Sequence, residues 1–236
     1  MKVCIIGDVI QDKYIYGTST RISPEAPVPV VTFKEEKTTM GGASLVFENL
    51  KSLGVDVSLF ETEQPYSTKT RIICDGHYVT RLDDDKKGDG VSVLRNVLCS
   101  DFRSFDYVIL SDYNKGVLDN AKEIIAYINS HGSKVIVDPK RNATEYTDAW
   151  LVKPNHKEMS DFEFDKWHGN IITTNAGQTV HASIEGKHYD IPVQQVEVSD
   201  VTGAGDCFIA AFVYALTKNY SHEKCLQMAV NASTES

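Results

Sequence analysis

The run Asp200-Val201-Thr202-Gly203-Ala204-Gly205-Asp206 leads directly into the apolar segment Cys207 to Leu216. Its residue types suit phosphate chemistry. Two glycines let the backbone turn tightly and bring bare N–H groups to an anion, and a following helix adds the positive end of its dipole. Asp206 falls in the first turn of that helix. A carboxylate beside an anion hole is repelled by phosphate, so the task that fits it is taking a proton from an attacking hydroxyl. A glycine-rich turn with Asp as a helix cap is the competing reading of these residues alone.

Other polar groups fall where a ligand would be met. Asp8 and Asp12 flank the end of the first apolar run, and carboxylates at such a place can bind sugar hydroxyls or cap a turn. Gly41-Gly42 opens a helical pattern and offers a second close-approach backbone. Asp138-Pro139-Lys140 and Lys153-Pro154-Asn155 each follow a further apolar run. In Asn155-x-x-Glu158 an amide and a carboxylate stand one turn apart, a spacing that can orient waters around a phosphate-bound Mg²⁺ or serve as a helix-start cap. Lys140 could meet a phosphate as a point charge. Of the seven histidines none has a neighbour at metal-ligand spacing.

The elements that position these groups read as alternating strands and helices. Continuous apolar runs at Lys2 to Gly7, Val57 to Phe60, Tyr107 to Leu110, Lys134 to Val137, Trp150 to Val152 and Ile171 to Thr173 suit a sheet buried on both faces. Between them lie helical patterns at Ala43 to Leu53, Val91 to Leu98, Asn120 to His131 and Gly205 to Leu216, which together imply a parallel α/β sandwich. Lys13 to Lys37 and Thr68 to Asp83 instead alternate apolar and polar residues, as in a small one-sided sheet, and read as a lid. Pro24, Pro27 and Pro29 place an edge or corner in its first connection.

A chain of 236 residues, 42% of them hydrophobic, can build one sizeable core, so residues 1–236 are expected to form one compact domain. The net charge of −9 argues against a nucleic-acid or anionic-membrane partner, although a nucleotide neutralised by metal ions and local dipoles stays compatible. No apolar run reaches the ~20 residues of a membrane span, and Met1 to Asp8 reads as a strand rather than a leader, so a cytoplasmic protein is expected. Cys4, Cys74, Cys99, Cys207 and Cys225 are scattered and odd in number, which speaks against a disulfide framework or structural zinc. Cys207 reads as a small buried filler.

The ordered set Gly7-Asp8, Gly41-Gly42, Asn155-x-x-Glu158 and Asp200-x-Thr202-Gly203-Ala204-Gly205-Asp206 resembles the ribokinase, or PfkB, family of carbohydrate kinases. Within it, Gly7 to Val31 resembles the heptose 7-phosphate kinase branch, as do Lys69 to Ile72, Arg81 to Asp83, Leu110 to Gly116 and Val137 to Lys140. The resemblance implies a ribokinase-like three-layer α/β/α sandwich with a small β-sheet lid, and transfer of the γ-phosphate of ATP, with Mg²⁺, to the anomeric hydroxyl of a sugar phosphate. It implies Asp206 as base and the amides of Gly203, Ala204 and Gly205 as anion hole. Asp8, Asp12, Gly41, Gly42 and Asn49 become expected substrate contacts, with Arg21, Lys69 and Arg71 for the sugar's own phosphate. Lys140, Asn155 and Thr202 fall to the nucleotide and its phosphates, and Glu158 with Asn155 to Mg²⁺ through water. Pairing of two copies through the lid is a further expectation.

The chain also departs from that pattern. Leu45 stands where the family has asparagine after its paired glycines. The stretches from Phe60 to Lys69 and from Glu158 to Ile171 are short. The sequence ends at Asn231 to Ser236, where relatives continue with a glycine-containing stretch and a helix that help enclose adenine, leaving open a compact form or a piece of a longer protein. A kinase for another sugar or nucleoside, favoured by Leu45, and a sugar-phosphate-binding protein of low activity, favoured by the short nucleotide side, are the alternatives.

Overall fold

The computed structural model describes residues 1–60, 66–159, 167–175, 177–193 and 203–235. Six parallel strands form the centre of the molecule: β1 (Lys2–Gly7), β4 (Asp56–Leu59), β7 (Tyr107–Ser111), β8 (Lys134–Asp138), β9 (Leu151–Val152) and β10 (Asn170–Thr173). An antiparallel hairpin, β11 (Val180–Ile184) and β12 (Lys187–Ile191), extends the sheet beyond β10, giving the order β12-β11-β10-β9-β8-β7-β1-β4. The alternation of side chains along each strand feeds two cores. Val3, Ile5, Ile109, Ile136 and Ile172 join the core that includes α1 (Ala43–Ser52), α5 (Ala204–Thr217) and α6 (His222–Glu235). Cys4, Ile6, Leu110, Val135 and Val137 join α2 (Gly90–Leu98) and α3 (Ala121–Ser130) on the other face. The result is the expected three-layer sandwich.

Helix α5 is apolar nearly all round, with Phe208, Ile209, Ala210, Ala211, Phe212 and Val213 all buried. Such a helix must be covered on several sides, and α5 is packed with α1 and α6 in one core. Its first turn is thereby fixed. The remaining element, α4 (His156–Met159), is a single turn after β9.

The lid is a separate four-stranded sheet in the order β3-β2-β5-β6, made of β2 (Val9–Thr18), β3 (Thr32–Gly42), β5 (Ser67–Cys74) and β6 (His77–Asp84). Its first hairpin is longer than its alternation predicts: the single residue Asp8 separates β1 from β2, and β3 runs straight into α1. The prolines fall at residues 19–31, between β2 and β3, where only an isolated Ile22–Pro29 bridge forms. Cross-strand register puts Asp12, Tyr14, Lys69, Arg71, Arg81 and Asp83 on one face and Ile15, Met40, Ile72 and Leu82 on the other. Among the described residues no helix is long and apolar enough to cross a membrane.

Candidate active site

The carboxyl ends of β1, β7, β8 and β9 lie side by side, and polar residues stand at or just beyond each: Asp8, Asp112-Tyr113, Asp138 and Lys153. Open α/β sheets bind ligands outside this edge. The first turn of α5 adds Asp206, 6% exposed, to the same place, because its carboxylate meets the hydroxyl of Tyr113. Gly203, the residue before α5, has φ of 86°, a left-handed conformation that favours glycine. The first-turn amides of α5 have no acceptor within the helix and are available to an anion.

Beside this turn lies a cation that the spacing of motifs does not single out. Lys153 is 3% exposed and its Nζ stands 3.0 Å from Oδ1 of Asp138. A Cβ placed on Gly205 would lie 3.7 Å from the same Nζ, so the ammonium flanks the amide turn. Burial alone would pull the lysine's pKa down, but the charge and hydrogen bond of Asp138 outweigh it and hold it above the ordinary value. Asp206 is pushed up to about 7, first by burial and then by the charge of Asp138, while Tyr113, Lys153 and Lys69 oppose the rise. A carboxylate poised near neutrality is suited to accepting a proton at physiological pH.

Tyr113 was missed by motif reading. Its hydroxyl donates to Oδ1 of Asp206 at 2.7 Å. The signal that could have found it is its position: a hydroxyl-bearing aromatic residue two places beyond the buried strand β7, at the edge where ligands bind.

The structure gives several expected ligand contacts another occupation. Asp8 is buried and accepts from three backbone amides, Tyr113 and Lys115 through Oδ2 and Val117 through Oδ1. It therefore caps the loop after β7. Asp12 does reach the lid face toward the crevice, where Arg71 Nη1 donates to its Oδ1 at 2.5 Å. Gly41 lies so close to Asp12 that a Cβ would meet Oδ2 at 2.2 Å, which by itself requires a glycine there. Gly42 is the N-terminal flank of α1 and has no side-chain cap. Asn49 donates to Sγ of the half-buried Cys207 at 3.4 Å, one turn along α1 from Leu45, which packs against Gly203. Leu45 and Asn49 thus form the seam between α1 and α5.

Asn155 and Glu158 form a reciprocal capping box around α4. Oδ1 of Asn155 accepts from the amides of Lys157 and Glu158, and Oε2 of Glu158 accepts from the amide of Asn155. Lys140 Nζ binds Oε1 of Glu158 at 2.7 Å. Lys69 makes no ion pair among the described residues, and its Nζ lies 5.8 Å from the ring centre of Tyr113. Burial lowers its pKa. Arg21 is exposed in the connection between β2 and β3. Thr202 and Asp200 lie outside the described residues, as do parts of the two short stretches.

A sequence profile of pfkB family carbohydrate kinases matches residues 41–236. The chain belongs to this family. The chain is similar to the "Bifunctional protein HldE" of Helicobacter pylori, 32% identical over 282 aligned positions that cover 97% of this chain and 61% of the relative. The protein of that name from Nitratiruptor is 32% identical over 266 residues, 92% of this chain and 57% of the relative. The chain thus spans about three-fifths of the length of these relatives, and it is shorter than the H. pylori protein across the matched region itself. Among solved structures, the tetrameric inhibited form of phosphofructokinase-2 from Escherichia coli superposes with a TM-score of 0.74 at 16% identity, covering 99% of this chain and 92% of that one. Arabidopsis thaliana ribokinase complexed with ribose and ATP gives 0.66 at 17%, covering 98% and 91%. The fold is ribokinase-like.

Proposed function

We propose that this pfkB carbohydrate kinase transfers the γ-phosphoryl group of ATP to the anomeric hydroxyl of a sugar that already carries a phosphate, with D-glycero-D-manno-heptose 7-phosphate as first choice. The observation that carries the reading is Asp206: a buried carboxylate, pushed up to about 7, in the first turn of a helix entered through Gly203-Ala204-Gly205 and flanked by the buried Lys153 ammonium. In this reading Asp206 takes the proton of the attacking hydroxyl, while the amides of Gly203 to Gly205 and Lys153 stabilise charge on the transferred phosphoryl oxygens. ATP would lie along the β8 and β9 ends, with Thr202, Lys140 and Asn155 near its phosphates.

Mg²⁺ fits this place only as an ion carried by the nucleotide. Both oxygens of Glu158 are already bonded, and no group of three or more His, Cys, Asp or Glu stands ready to hold a metal among the described residues. Glu158 and Asn155 would meet it through water, and the ion would neutralise charge on the phosphates.

The sugar phosphate is supported by the lid. Its crevice face carries Lys69, Arg71 and Arg81, three cations on adjacent strands, and Asp12 for a hydroxyl. The similarity to proteins named HldE points the same way. The opposite lid face exposes Met40 and Leu82, and a second copy of the chain pairing there would cover them. The net charge of −9 and a crevice suited to accepting a proton fit a small-molecule kinase, whose place would be the cytoplasm.

A second reading has one observation in its favour. The chain is shorter than the H. pylori relative across the matched region, as expected of a protein that keeps the sugar side and binds nucleotide weakly. ADP formation with a panel of sugars and sugar phosphates, together with separate binding of ATP·Mg²⁺ and heptose 7-phosphate, decides between the two. Turnover of heptose 7-phosphate supports the kinase reading. Sugar-phosphate binding without nucleotide binding supports the second, and turnover of unphosphorylated sugars alone refutes the proposed substrate.

A further inference from the structure

Tyr113 is held from three sides by three different elements. Its backbone amide donates to Oδ2 of Asp8 beyond β1 at 2.9 Å, its ring lies under the Lys69 ammonium from β5, and its hydroxyl donates to Oδ1 of Asp206 in α5. Burial, and after it the charge of Asp206, hold the phenol well above its ordinary value, so it stays a donor throughout the working pH range.

We propose that Tyr113 is the positioning residue of the base: it occupies Oδ1 of Asp206, so that Oδ2 is the oxygen that receives the proton of the sugar hydroxyl. The proposal rests on the reading of Asp206 as general base and deepens it. A carboxylate turns readily about its last bond, and a base whose two oxygens exchange places reaches the hydroxyl only part of the time. A donor fixed by its own backbone and ring removes that freedom. The other charged groups facing Asp206 are Asp138 on β8, Lys153 after β9 and Lys69 on β5, which act on it through space. Asp12 in turn faces Tyr113.

The bond favours the ionised carboxylate. Tyr113→Phe keeps the ring and removes the donor, so the acid limb of the kcat/KM profile moves to higher pH. At its plateau kcat falls about tenfold, the scale of one hydrogen bond to a charged group, with KM for sugar and nucleotide changed less than about twofold. Site-specific 3-fluorotyrosine at position 113 keeps the shape of the side chain and strengthens the donor, so it moves the limb to lower pH than wild type and reports even where the phenylalanine variant folds poorly. A residue that only fills space would move neither limb. Limbs that superimpose on wild type in either folded variant, while Asp206→Asn is inactive, overturn the role of Tyr113 alone. An active Asp206→Asn protein overturns the base reading beneath it.

Discussion

Arg71 on β5 donates to Asp12 on β2 at 2.5 Å across the lid, joining a cation and a carboxylate that a sugar phosphate would engage separately. Burial opposes the charge on Arg71, but the bond and charge of Asp12 outweigh it and raise its pKa. Without ligand the two neutralise each other. A substrate bringing a phosphate for Arg71 and a hydroxyl for Asp12 would replace one ion pair with two charge-assisted contacts.

From this relationship Lys69→Ala and Arg71→Ala are expected to weaken the sugar phosphate ~10-fold to ~100-fold, the scale of a hydrogen bond to a charged group, and the free sugar much less. Arg21→Ala, exposed outside the lid strands, is expected to act least of the three. KM and kcat with heptose and heptose 7-phosphate check this. Equal losses for both sugars in the Lys69 and Arg71 variants would mean damage to the lid rather than loss of a phosphate site.

The raised pKa of Asp206 gives two pH effects of opposite use. As a base Asp206 works only when ionised, so kcat/KM should rise through an acid limb near pH 7. For stability the sign is the reverse of an ordinary ion-paired carboxylate: between its usual value and about 7 the folded protein keeps a proton that the unfolded chain has lost, so stability falls as pH rises through that window. Asp206→Asn removes the titration. It should reduce kcat by ~10²-fold to ~10⁴-fold with ATP binding kept, and its Tm relative to wild type should climb from pH 4 to pH 8. A constant difference in Tm across that range would show that the group does not titrate there.

Glu158→Gln separates capping from charge. Glutamine can take over the reciprocal bond to the Asn155 amide, so stability should change by less than about 1 kcal/mol, while the ion pair with Lys140 and the negative charge proposed to face the nucleotide's Mg²⁺ are lost. The Mg²⁺ concentration for half-maximal rate should then rise several-fold. Coincident Mg²⁺ titrations would leave Glu158 as a helix cap only.

The sheet was legible because strands buried on both faces read as unbroken apolar runs: β1 is matched in full, and β4, β7, β8, β9 and β10 lie within one residue of their predicted bounds. The hairpin β11–β12 is no unbroken run and its signal is of another kind: Val180, Ala182 and Ile184 alternate with His181 and Ser183, the period of a strand buried on one face, and the tight Glu185-Gly186 turn follows. Helix α6 was missed. Its buried Cys225, Leu226, Ala229 and Val230 form a narrow stripe among polar residues. At the site, glycines and a helix start revealed Asp206, because the local chain alone creates that turn. The pairings of Asp12 with Arg71, Lys140 with Glu158 and Lys153 with Asp138 join different elements, and only the assembled sheet brings them together.

The last of these pairings acts, after burial, on Asp206, the proposed base. Asp138 is half-buried, its own pKa raised chiefly by desolvation, and its charge raises the pKa of Asp206, whereas Lys153 lowers it. Asp138→Asn therefore removes the repulsion and leaves Lys153 acting on Asp206 alone, so the acid limb of kcat/KM should move to lower pH. Lys153→Met does the opposite twice over: it withdraws the cation and frees the repulsion of Asp138, so the limb moves to higher pH. The stability effects do not mirror each other in this way. Removing either partner strands a buried charge, at a cost of about 3–5 kcal/mol, and removing both costs less than the sum. The double variant Asp138→Asn, Lys153→Met should then recover part of the lost Tm but not the lost rate, because the cation beside the Gly205 amide is still missing. Denaturant unfolding of the four proteins gives the coupling energy, and single-turnover rates give the chemistry. Recovery of both stability and rate in the double variant would show that Lys153 serves only to neutralise Asp138.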